Sequence, residues 1–457
     1  MAANAAVEAP LPYPAVSMET YLFSHVLTIA AVVASLLMLS RLSGSGRTPQ
    51  STLAWLLAFA FLPVVGIPLY LALGSRKFPR RAKGPGLDVP PPRAGHSFEL
   101  LPTGEVAYAR LMDLIVGARR SIDLTMFILG DDATGRAFVD ALAGRASSGV
   151  AVRVILDAVG CARTRRHAAR VLGAAGVEVR AFMPLWHSPV RGRTNLRSHR
   201  KLAVFDGEQV FAGGMNLANE YMGLPAPAAD PPRWRDVAAV VRGPIAADAS
   251  TLFESDWRFC GGSARAVDPS SGPAIDAGRG DETVQLVPSG PDMLTDTVYD
   301  LFLTGIFRAR ERIAIVTPYY VPDEALQHAL VLSARRGVKT EVLVPSRSNH
   351  RVADLARRKL VRELSANGVV VHYYPRGMVH AKAMVIDDTF AYVGSPNFDM
   401  RSLFLNYEDA LCLHSAGAIA QVRRYVDGLI AECTRDAPPY REHRVIEQIA
   451  LLLAPEL

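Results

Sequence analysis

Residues 199–216 read HRKLAVFDGEQVFAGGMN, and residues 380–397 read HAKAMVIDDTFAYVGSPN. Each stretch places a Lys two residues after a His, an Asp five residues after the Lys, and an Asn ten residues after the Asp. The matched residues are 181 positions apart throughout: His199 and His380, Lys201 and Lys382, Asp206 and Asp387, Asn216 and Asn397. A single His-x-Lys arises often by chance, whereas two copies in one register indicate a duplicated domain that carries a polar site.

The duplication extends beyond these two stretches. Residues 118–122 (ARRSI) return at 309–313 (ARERI), and two Gly-Val pairs recur at offsets of 188 and 192 residues. Strand-like and helix-like patterns alternate in the first copy, at 121–129, 134–147 and 150–156. This alternation predicts an α/β fold of two tandem α-β-α domains. Their boundary is expected in the Gly-, Ser- and Asp-rich residues 261–281.

The polar residues of the two copies suit phosphodiester chemistry. Alternation along a strand puts the His and Lys of each copy on one face. Packing of the domains about a pseudo-twofold axis would bring two imidazoles, two ammonium groups and two asparagine amides into one cleft. Lysines and amides balance the charge of a phosphoryl-transfer transition state, while one imidazole attacks phosphorus and the other protonates the leaving oxygen. With pKa values near ~6.5, one neutral and one protonated histidine are expected to coexist.

A metal ion is not part of this prediction. The sequence shows no carboxylate cluster of the kind that holds Mg²⁺ or Mn²⁺, and the two lysines take the electrostatic role of a metal. We therefore expect neither a metal nor another cofactor. The four cysteines lie far apart with no Cys-x-x-Cys pair, which favours reduced structural thiols over disulfides or a zinc ribbon.

Two uncharged apolar runs precede the repeats. Tyr21–Leu39 has nineteen residues and Leu53–Leu73 has twenty-one, so each could cross a ~30 Å hydrocarbon core as a helix. Neither run has a polar face, which favours two transmembrane helices over buried core helices. Five basic residues follow the second run and two lie in the loop between the runs. The positive-inside rule then places the loop outside and the bulk of the chain in the cytoplasm.

The formal charge of +6 comes mainly from this N-terminal part. Residues 1–83 hold seven Lys or Arg and two acidic residues, which leaves 43 basic against 42 acidic residues for the remainder. A near-neutral body disfavours nucleic acid as a partner, because nucleic-acid binding requires a basic face on the folded domain. A basic cluster beside apolar runs suits anionic membrane lipid instead.

The paired motifs resemble those of the phospholipase D superfamily, and their surroundings resemble the bacterial cardiolipin synthases. The resemblance runs from about residue 50 to the C-terminus. It is carried by the two motif stretches and by AWLLAFAFLPVVGIPLYLALG at 54–74, TPYYVPDEAL at 317–326 and GSPNFDMRSLFLNYE at 394–408. It implies two phospholipase D-like domains that share one active site, preceded by a two-helix transmembrane hairpin.

The resemblance also implies roles for individual residues. It places six of them at catalytic positions: His199, Lys201, Asp206, His380, Lys382 and Asp387. His199 would be the nucleophile and His380 the general acid and then base, whereas Asp206 and Asp387 would brace a loop. Asp236 and Glu408 resemble the acids that orient the two histidines. The substrate-binding residues are expected to be Asn216, Ser395 and Asn397.

The implied reaction is a phosphatidyl transfer between two phosphatidylglycerol molecules, through a phosphatidyl-histidine intermediate, that gives cardiolipin and glycerol. Three alternatives stay open at this point: a membrane-anchored phospholipase D that hydrolyses phospholipids to phosphatidic acid, a membrane-tethered nuclease, and an inactive scaffold. Intact motifs disfavour the scaffold, and the near-neutral body disfavours the nuclease. The sequence leaves the oligomeric state, the acyl-chain preference and the use of phosphatidylethanolamine as donor undetermined.

The expected domain layout follows from these observations. Together with the family resemblance, they predict an enzyme of the bacterial cytoplasmic membrane. It would cross the membrane more than once and have its catalytic domains in the cytoplasm. The segments are a tail at 1–20, two transmembrane helices with a basic flank at 21–83, a linker at 84–98, a first domain at 99–270 and a second domain at 271–457.

Overall fold

A computed structural model describes ten stretches of the chain, which are residues 17–23, 25–26, 28–30, 33, 49–73, 89–184, 195–225, 232–264, 280–439 and 443–452. The chain divides into two compact units. One comprises Met1–Arg76 with Pro189–Arg193, and the other comprises Lys77–Ser188 with Thr194–Leu457.

Two short helices of the smaller unit, α1 (Pro49–Phe61) and α2 (Pro63–Leu73), follow each other with only Leu62 between them. The rings of Trp55 and Tyr70 meet edge to face with centroids 5.1 Å apart. In a straight helix these residues would be about 22 Å apart, at 1.5 Å per residue. The chain therefore folds back at Leu62, and α1 and α2 pack against each other as a hairpin.

This hairpin corrects one prediction, that Leu53–Leu73 is a single membrane-crossing helix. Pro63 cannot donate a backbone hydrogen bond, and it disfavours a helical conformation for the residue before it. The first helix therefore ends at Phe61, and the second begins with Pro63 at its first position. Among the described residues, no helix is both long enough and apolar enough to cross a membrane. Much of the first predicted crossing, Tyr21–Leu39, lies outside the described residues.

The larger unit begins with seven strands and four helices of the first repeat. Its strands are β1 (Arg93–Leu101), β2 (Ser121–Met126), β3 (Ala151–Asp157), β4 (Glu178–Phe182), β5 (Leu202–Phe205), β6 (Gln209–Gly213) and β7 (Ala238–Arg242). Its helices are α3 (Gly104–Gly117), α4 (Ala133–Ser147), α5 (Arg165–Ala174) and α6 (Ile245–Phe259). The predicted strand, helix and strand at 121–156 are therefore confirmed, with ends that differ by at most three residues.

The second repeat has the same order with small additions. Its strands are β8 (Glu282–Ser289), β9 (Arg312–Val316), β10 (Tyr320–Val321), β11 (Lys339–Pro345), β12 (Val370–Tyr374), β13 (Ala383–Ile386), β14 (Phe390–Gly394), β15 (Phe398–Asp399) and β16 (Glu408–Leu413). Its helices are α7 (Thr297–Arg308), α8 (Glu324–Arg335), α9 (Arg351–Ala366), α10 (Met400–Phe404), α11 (Ala416–Ala431) and α12 (Arg444–Leu452).

Within the described residues, fourteen strands form one continuous sheet in the order β12-β11-β9-β13-β14-β16-β8-β1-β7-β6-β5-β2-β3-β4. Equivalent strands of the two repeats occupy equivalent positions on either side of the centre of the sheet, from β8 and β1 at the centre to β12 and β4 at the two edges. The central pair is β8 and β1, which run antiparallel. The duplication seen in the sequence therefore appears as a pseudo-twofold relation about this central pair.

A shared apolar core crosses this centre. One cluster of buried side chains combines Val204 and Val241 of the first repeat with Leu286 and Val385 of the second. Burying such side chains stabilises the pair of domains by roughly 1.5–3 kcal/mol per large aliphatic residue. The tandem α/β domains thus form one body rather than two domains joined by a linker.

Two predicted boundaries can be compared with the structure. The linker at 84–98 extends too far, because β1 begins at Arg93 and pairs with β7 as a part of the first domain. The predicted boundary at 270/271 lies outside the described residues. All four cysteines are free thiols, and burial raises the pKa of Cys161 to about 12.

Candidate active site

The two His-x-Lys motifs lie just before equivalent strands, β5 and β13. All four side chains are buried, with His199 7% and His380 4% exposed. The backbone N–H of His199 donates to the Tyr407 carbonyl at 2.8 Å, and that of His380 donates to the Arg235 carbonyl at 2.7 Å. Each motif is therefore held by a backbone segment of the other repeat.

The residues after those two carbonyls are the acids predicted to orient the histidines. His199 Nδ1 lies 3.0 and 2.9 Å from the two carboxylate oxygens of Glu408. His380 Nδ1 lies 2.6 Å from Asp236 Oδ2. Each acid thus serves the histidine of the opposite repeat. Because an ionised carboxylate only accepts, Nδ1 carries the hydrogen and Nε2 keeps its lone pair.

The two lysines lie beside the histidines of their own motifs. Lys201 Nζ donates to the His199 carbonyl at 2.6 Å. Lys382 Nζ donates to the His380 carbonyl and lies 2.6 Å from His380 Nδ1 and 3.0 Å from its Nε2. Two ammonium groups and two imidazoles are therefore concentrated at one buried place.

The residues predicted to bind substrate surround this place asymmetrically. Ser395 Oγ donates to Glu408 Oε2 at 2.5 Å and accepts the Asp409 N–H at 2.9 Å. Its counterpart Gly214 carries no side chain, and a Cβ there would lie 2.3 Å from Asp236 Oδ1. Asn216 Oδ1 accepts the Ile128 N–H at 3.1 Å. Within the described part of the chain, the buried Oδ1 of Asn397 has no hydrogen-bond partner.

The aspartates of the two motifs act on backbone turns away from the histidines. Asp206 accepts the N–H groups of residues 119, 120 and 121 at 2.9, 2.6 and 2.8 Å. Asp387 accepts those of residues 310, 311 and 312 at 3.0, 2.9 and 2.8 Å. These turns are the ARRSI and ARERI repeats of the sequence. Both aspartates have positive φ, 55° and 48°, which Asp tolerates better than most residues.

We expect Asp387→Ala to lower the stability of the protein by about 2–4 kcal/mol. Three backbone N–H groups lose their acceptor, and the alanine must adopt a left-handed conformation. The neighbouring exposed Asp388, which pairs with Arg423 at the surface, provides the matched control, and Asp388→Ala should cost at most about 1 kcal/mol. Denaturation of the detergent-solubilised protein followed by tryptophan fluorescence measures both, and equal shifts would contradict a bracing role for Asp387.

Aromatic side chains enclose the two histidines. Phe127 meets the His199 ring edge to face at 5.0 Å. Tyr221, Trp234 and Tyr319 surround the His380 ring at 5.0, 5.6 and 6.4 Å. The sequence interpretation assigned none of them to the site and treated Trp234 as a core or interface aromatic. One feature of the sequence could have identified two of these aromatic residues. Phe127 and Tyr319 come shortly after β2 and β9, which are equivalent strands of the two repeats.

Arg200 is a second feature that the motif comparison did not reveal. It lies between His199 and Lys201, is 1% exposed, and has Ala381 as its counterpart. Its guanidinium pairs with Asp256 and donates to the carbonyls of Glu408 at 3.1 Å and Ser289 at 3.0 Å. This buried arginine therefore fixes the backbone of the acid that holds His199.

Comparison with known proteins identifies the family of the chain. A family model described as "Cardiolipin synthase, PLD-like domain" matches residues 111–257 and 302–430, which is more than half of the chain. The chain belongs to the bacterial cardiolipin synthase family of the phospholipase D superfamily. A second model, "Phospholipase D-nuclease N-terminal", matches residues 26–75.

Curated cardiolipin synthases match almost from end to end. The Alkalihalophilus pseudofirmus cardiolipin synthase is 31% identical, with 90% of each chain covered. Cardiolipin synthase 1 of Bacillus anthracis is 30% identical over 83% of this chain and 82% of its own. The Halalkalibacterium halodurans cardiolipin synthase is 30% identical over 95% and 94%. Among solved structures, a phosphatidylserine synthase of Haemophilus influenzae shares the fold, with a TM-score of 0.58, 15% identity and coverage of 79% and 95%.

In this member of the cardiolipin synthase family, burial dominates the electrostatics of the site. Burial, with the added repulsion of the lysines, lowers the pKa of His199 to about 4 and that of His380 to about 3, although the paired acids oppose the shift. Burial also lowers the pKa of Lys201 to about 8 and of Lys382 to about 7. Burial alone would raise the pKa of Glu408, but His199 and Lys201 outweigh it and leave that pKa lowered.

These shifts correct the expectation of one neutral and one protonated histidine in the cardiolipin synthase site. With both pKa values lowered, both imidazoles are neutral at neutral pH when no phosphodiester is bound. The expectation rested on the pKa of a solvated imidazole, and it did not include desolvation by the surrounding side chains.

Among the described residues, no group of three or more His, Cys, Asp or Glu side chains is arranged to hold a metal ion.

Proposed function

We propose that the chain is a cardiolipin synthase that joins two phosphatidylglycerol molecules into cardiolipin and releases glycerol. The observation that carries the proposal is the crossed pairing of His199 with Glu408 and of His380 with Asp236. It makes one site of the two motifs, with two imidazoles whose Nε2 atoms are free of the orienting acids. A transfer through a covalent intermediate needs such a pair, one nucleophile and one proton carrier.

In the first step, His199 Nε2 attacks the phosphorus of one phosphatidylglycerol. A nitrogen–phosphorus bond forms, the bond from phosphorus to the glycerol oxygen breaks, and that oxygen takes a proton from His380. Lys201 and Lys382 balance the charge on the non-bridging oxygens, and Glu408 stabilises the imidazolium that develops on His199. The amide groups of Asn216 and Asn397, with Ser395, are the proposed substrate contacts.

In the second step, a hydroxyl of another phosphatidylglycerol displaces His199. His380 now accepts the hydroxyl proton, the new oxygen–phosphorus bond forms, and the bond to His199 breaks. One phosphodiester replaces another, so no nucleotide is needed to drive the reaction, and glycerol can reverse it.

The proton of the first step needs a source, because both imidazoles are neutral before the substrate binds. A bound phosphodiester brings negative charge to the site, which raises the pKa of the nearby imidazoles. His380 therefore takes up a proton from solvent at Nε2 as the phosphodiester binds. Lys382 Nζ, which lies 2.6 Å from His380 Nδ1 and 3.0 Å from its Nε2, keeps its proton and balances the phosphate charge. His380 as the acid and His199 as the nucleophile is the order that the family resemblance implies.

We also propose that the protein acts at the bacterial cytoplasmic membrane, with its catalytic domains on the cytoplasmic side and anionic lipid as its partner. The support is the uncharged run Tyr21–Leu39 together with the basic residues that follow Leu73. A membrane-held site would meet phosphatidylglycerol at the high effective concentration of a two-dimensional surface.

We expect purified enzyme supplied with phosphatidylglycerol alone to form cardiolipin and glycerol in near-equal amounts, with little phosphatidic acid. Water, at roughly 55 M, competes with the lipid hydroxyl for the covalent intermediate, and the buried aromatic enclosure of the histidines disfavours it. Added glycerol should convert cardiolipin back to phosphatidylglycerol. Lipid mass spectrometry measures all three lipids.

One alternative product pattern would change the proposal. Phosphatidic acid as the main product, with no effect of glycerol, would make the protein a phospholipase D. That outcome would leave the covalent mechanism in place and would replace only the acceptor.

A further inference from the structure

The α1–α2 hairpin is built for close contact between its arms. A Cβ on Gly66 would lie 2.8 Å from the Ala58 carbonyl oxygen, so a residue with no side chain permits this approach. Phe59 and Tyr70 are buried between the arms, with ring centroids 5.3 Å apart. The fold-back is therefore a packed structure rather than a loose bend.

The bend keeps backbone hydrogen bonds within the chain. The N–H of Leu62 donates to the Ala58 carbonyl at 2.9 Å, and those of Val65 and Gly66 donate to the Leu62 carbonyl at 3.0 and 2.7 Å. The residue at the turn-around, Pro63, has no N–H to satisfy. A hydrocarbon surrounding demands such internal bonding of the backbone, which excludes ordinary loops.

The outer surface of the hairpin is apolar and is most exposed at its tip. Residues 49–73 contain no charged side chain. The exposed fractions at the tip are 77% for Phe61, 62% for Leu62, 70% for Val64 and 61% for Val65. The arms of 13 and 11 residues are about 20 and 17 Å long, too short to cross a ~30 Å core but long enough to reach its middle.

The basic residues flank both ends of this hairpin. Arg41 and Arg47 precede α1, and the five others among residues 1–83 follow α2: Arg76, Lys77, Arg80, Arg81 and Lys83. If both apolar runs crossed the membrane, these groups would lie on opposite sides, two against five. If the second run only enters and returns, all seven lie on one side, with none in residues 1–40. The positive-inside rule favours the second arrangement.

We infer that residues 49–73 form a re-entrant hairpin, which inserts its tip among the acyl chains of the cytoplasmic leaflet and returns to the cytoplasmic side. Only Tyr21–Leu39 then crosses the bilayer. The segment between the two apolar runs lies in the cytoplasm, not outside as the two-crossing prediction has it, and residues 1–20 lie outside. This inference concerns topology alone and does not depend on the reaction catalysed.

Cysteine labelling of the full chain in spheroplasts tests the inference. The probe is a membrane-impermeant maleimide, and the variants are Ser45→Cys, between the two runs, and Ala5→Cys, in the tail. The four native cysteines lie in the catalytic body and are cytoplasmic under both arrangements, so the unaltered protein provides the background. We expect Ala5→Cys to gain one label per chain in intact spheroplasts and Ser45→Cys to stay at background.

Inverted membrane vesicles provide the complementary measurement, in which Ser45→Cys should gain one label over the unaltered protein and Ala5→Cys should gain none. Labelling of Ser45→Cys in intact spheroplasts would overturn the inference and restore two crossings. Failure of Ala5→Cys to label there would also overturn it, because the tail would then lie inside. Neither outcome bears on cardiolipin formation, which the lipid products test separately.

Discussion

His199→Ala and His380→Ala should each lower the rate of cardiolipin formation from phosphatidylglycerol by at least about 10³-fold. Each histidine carries a separate half of the chemistry, and general acid–base catalysis alone contributes about 10²–10⁴-fold. His328, exposed on α8, provides the matched control, and His328→Ala should retain full activity. Substantial activity in either site variant would contradict one site shared by both motifs.

A substrate with a better leaving group separates the two histidines. A phosphatidyl ester of p-nitrophenol needs no protonation of its leaving oxygen, so the nucleophile alone can release it. We expect His380→Ala to give a burst of one p-nitrophenolate per enzyme and then to stall as the phosphatidyl-histidine. His199→Ala should give no burst, and the reverse pattern would exchange the two roles.

Glu408→Gln and Asp236→Asn should each lower kcat by about 10²–10⁴-fold and change KM little. An amide holds the imidazole less firmly through Nδ1–H and stabilises no positive charge on the ring, so it weakens the step that its histidine performs. Glu324, exposed on α8, supplies the control, and Glu324→Gln should leave kcat unchanged.

The p-nitrophenyl substrate also tests the crossed pairing of acids and histidines. Glu408 holds the proposed nucleophile, so Glu408→Gln should slow the burst itself. Asp236 holds the proposed proton carrier, so Asp236→Asn should leave the burst nearly intact and slow the turnover that follows. If His199→Ala abolished the burst, and Asp236→Asn slowed it while Glu408→Gln did not, each acid would act on the histidine of its own repeat.

The sequence predicted the parts of the site that depend on local pattern. Two identical spacings of His, Lys, Asp and Asn identified the duplication, and alternation of apolar residues located the strands that carry them. The ARRSI and ARERI repeats were visible too, but their relation to Asp206 and Asp387 was not. That relation is a set of hydrogen bonds between residues 75–87 positions apart, and no local periodicity encodes it.

By itself, the sequence determined the family, the duplicated α/β fold and the four side chains of the two His-x-Lys motifs. Only the tertiary structure decided which acid faces which histidine, because that depends on packing between segments more than 140 residues apart. It also decided that both imidazoles are desolvated, since burial is a property of all the surrounding side chains together. The apolar run at 53–73 shows the same limit. Hydropathy measures its length and apolar character, whereas the break at Leu62 and the contact between Trp55 and Tyr70 decide that it folds back.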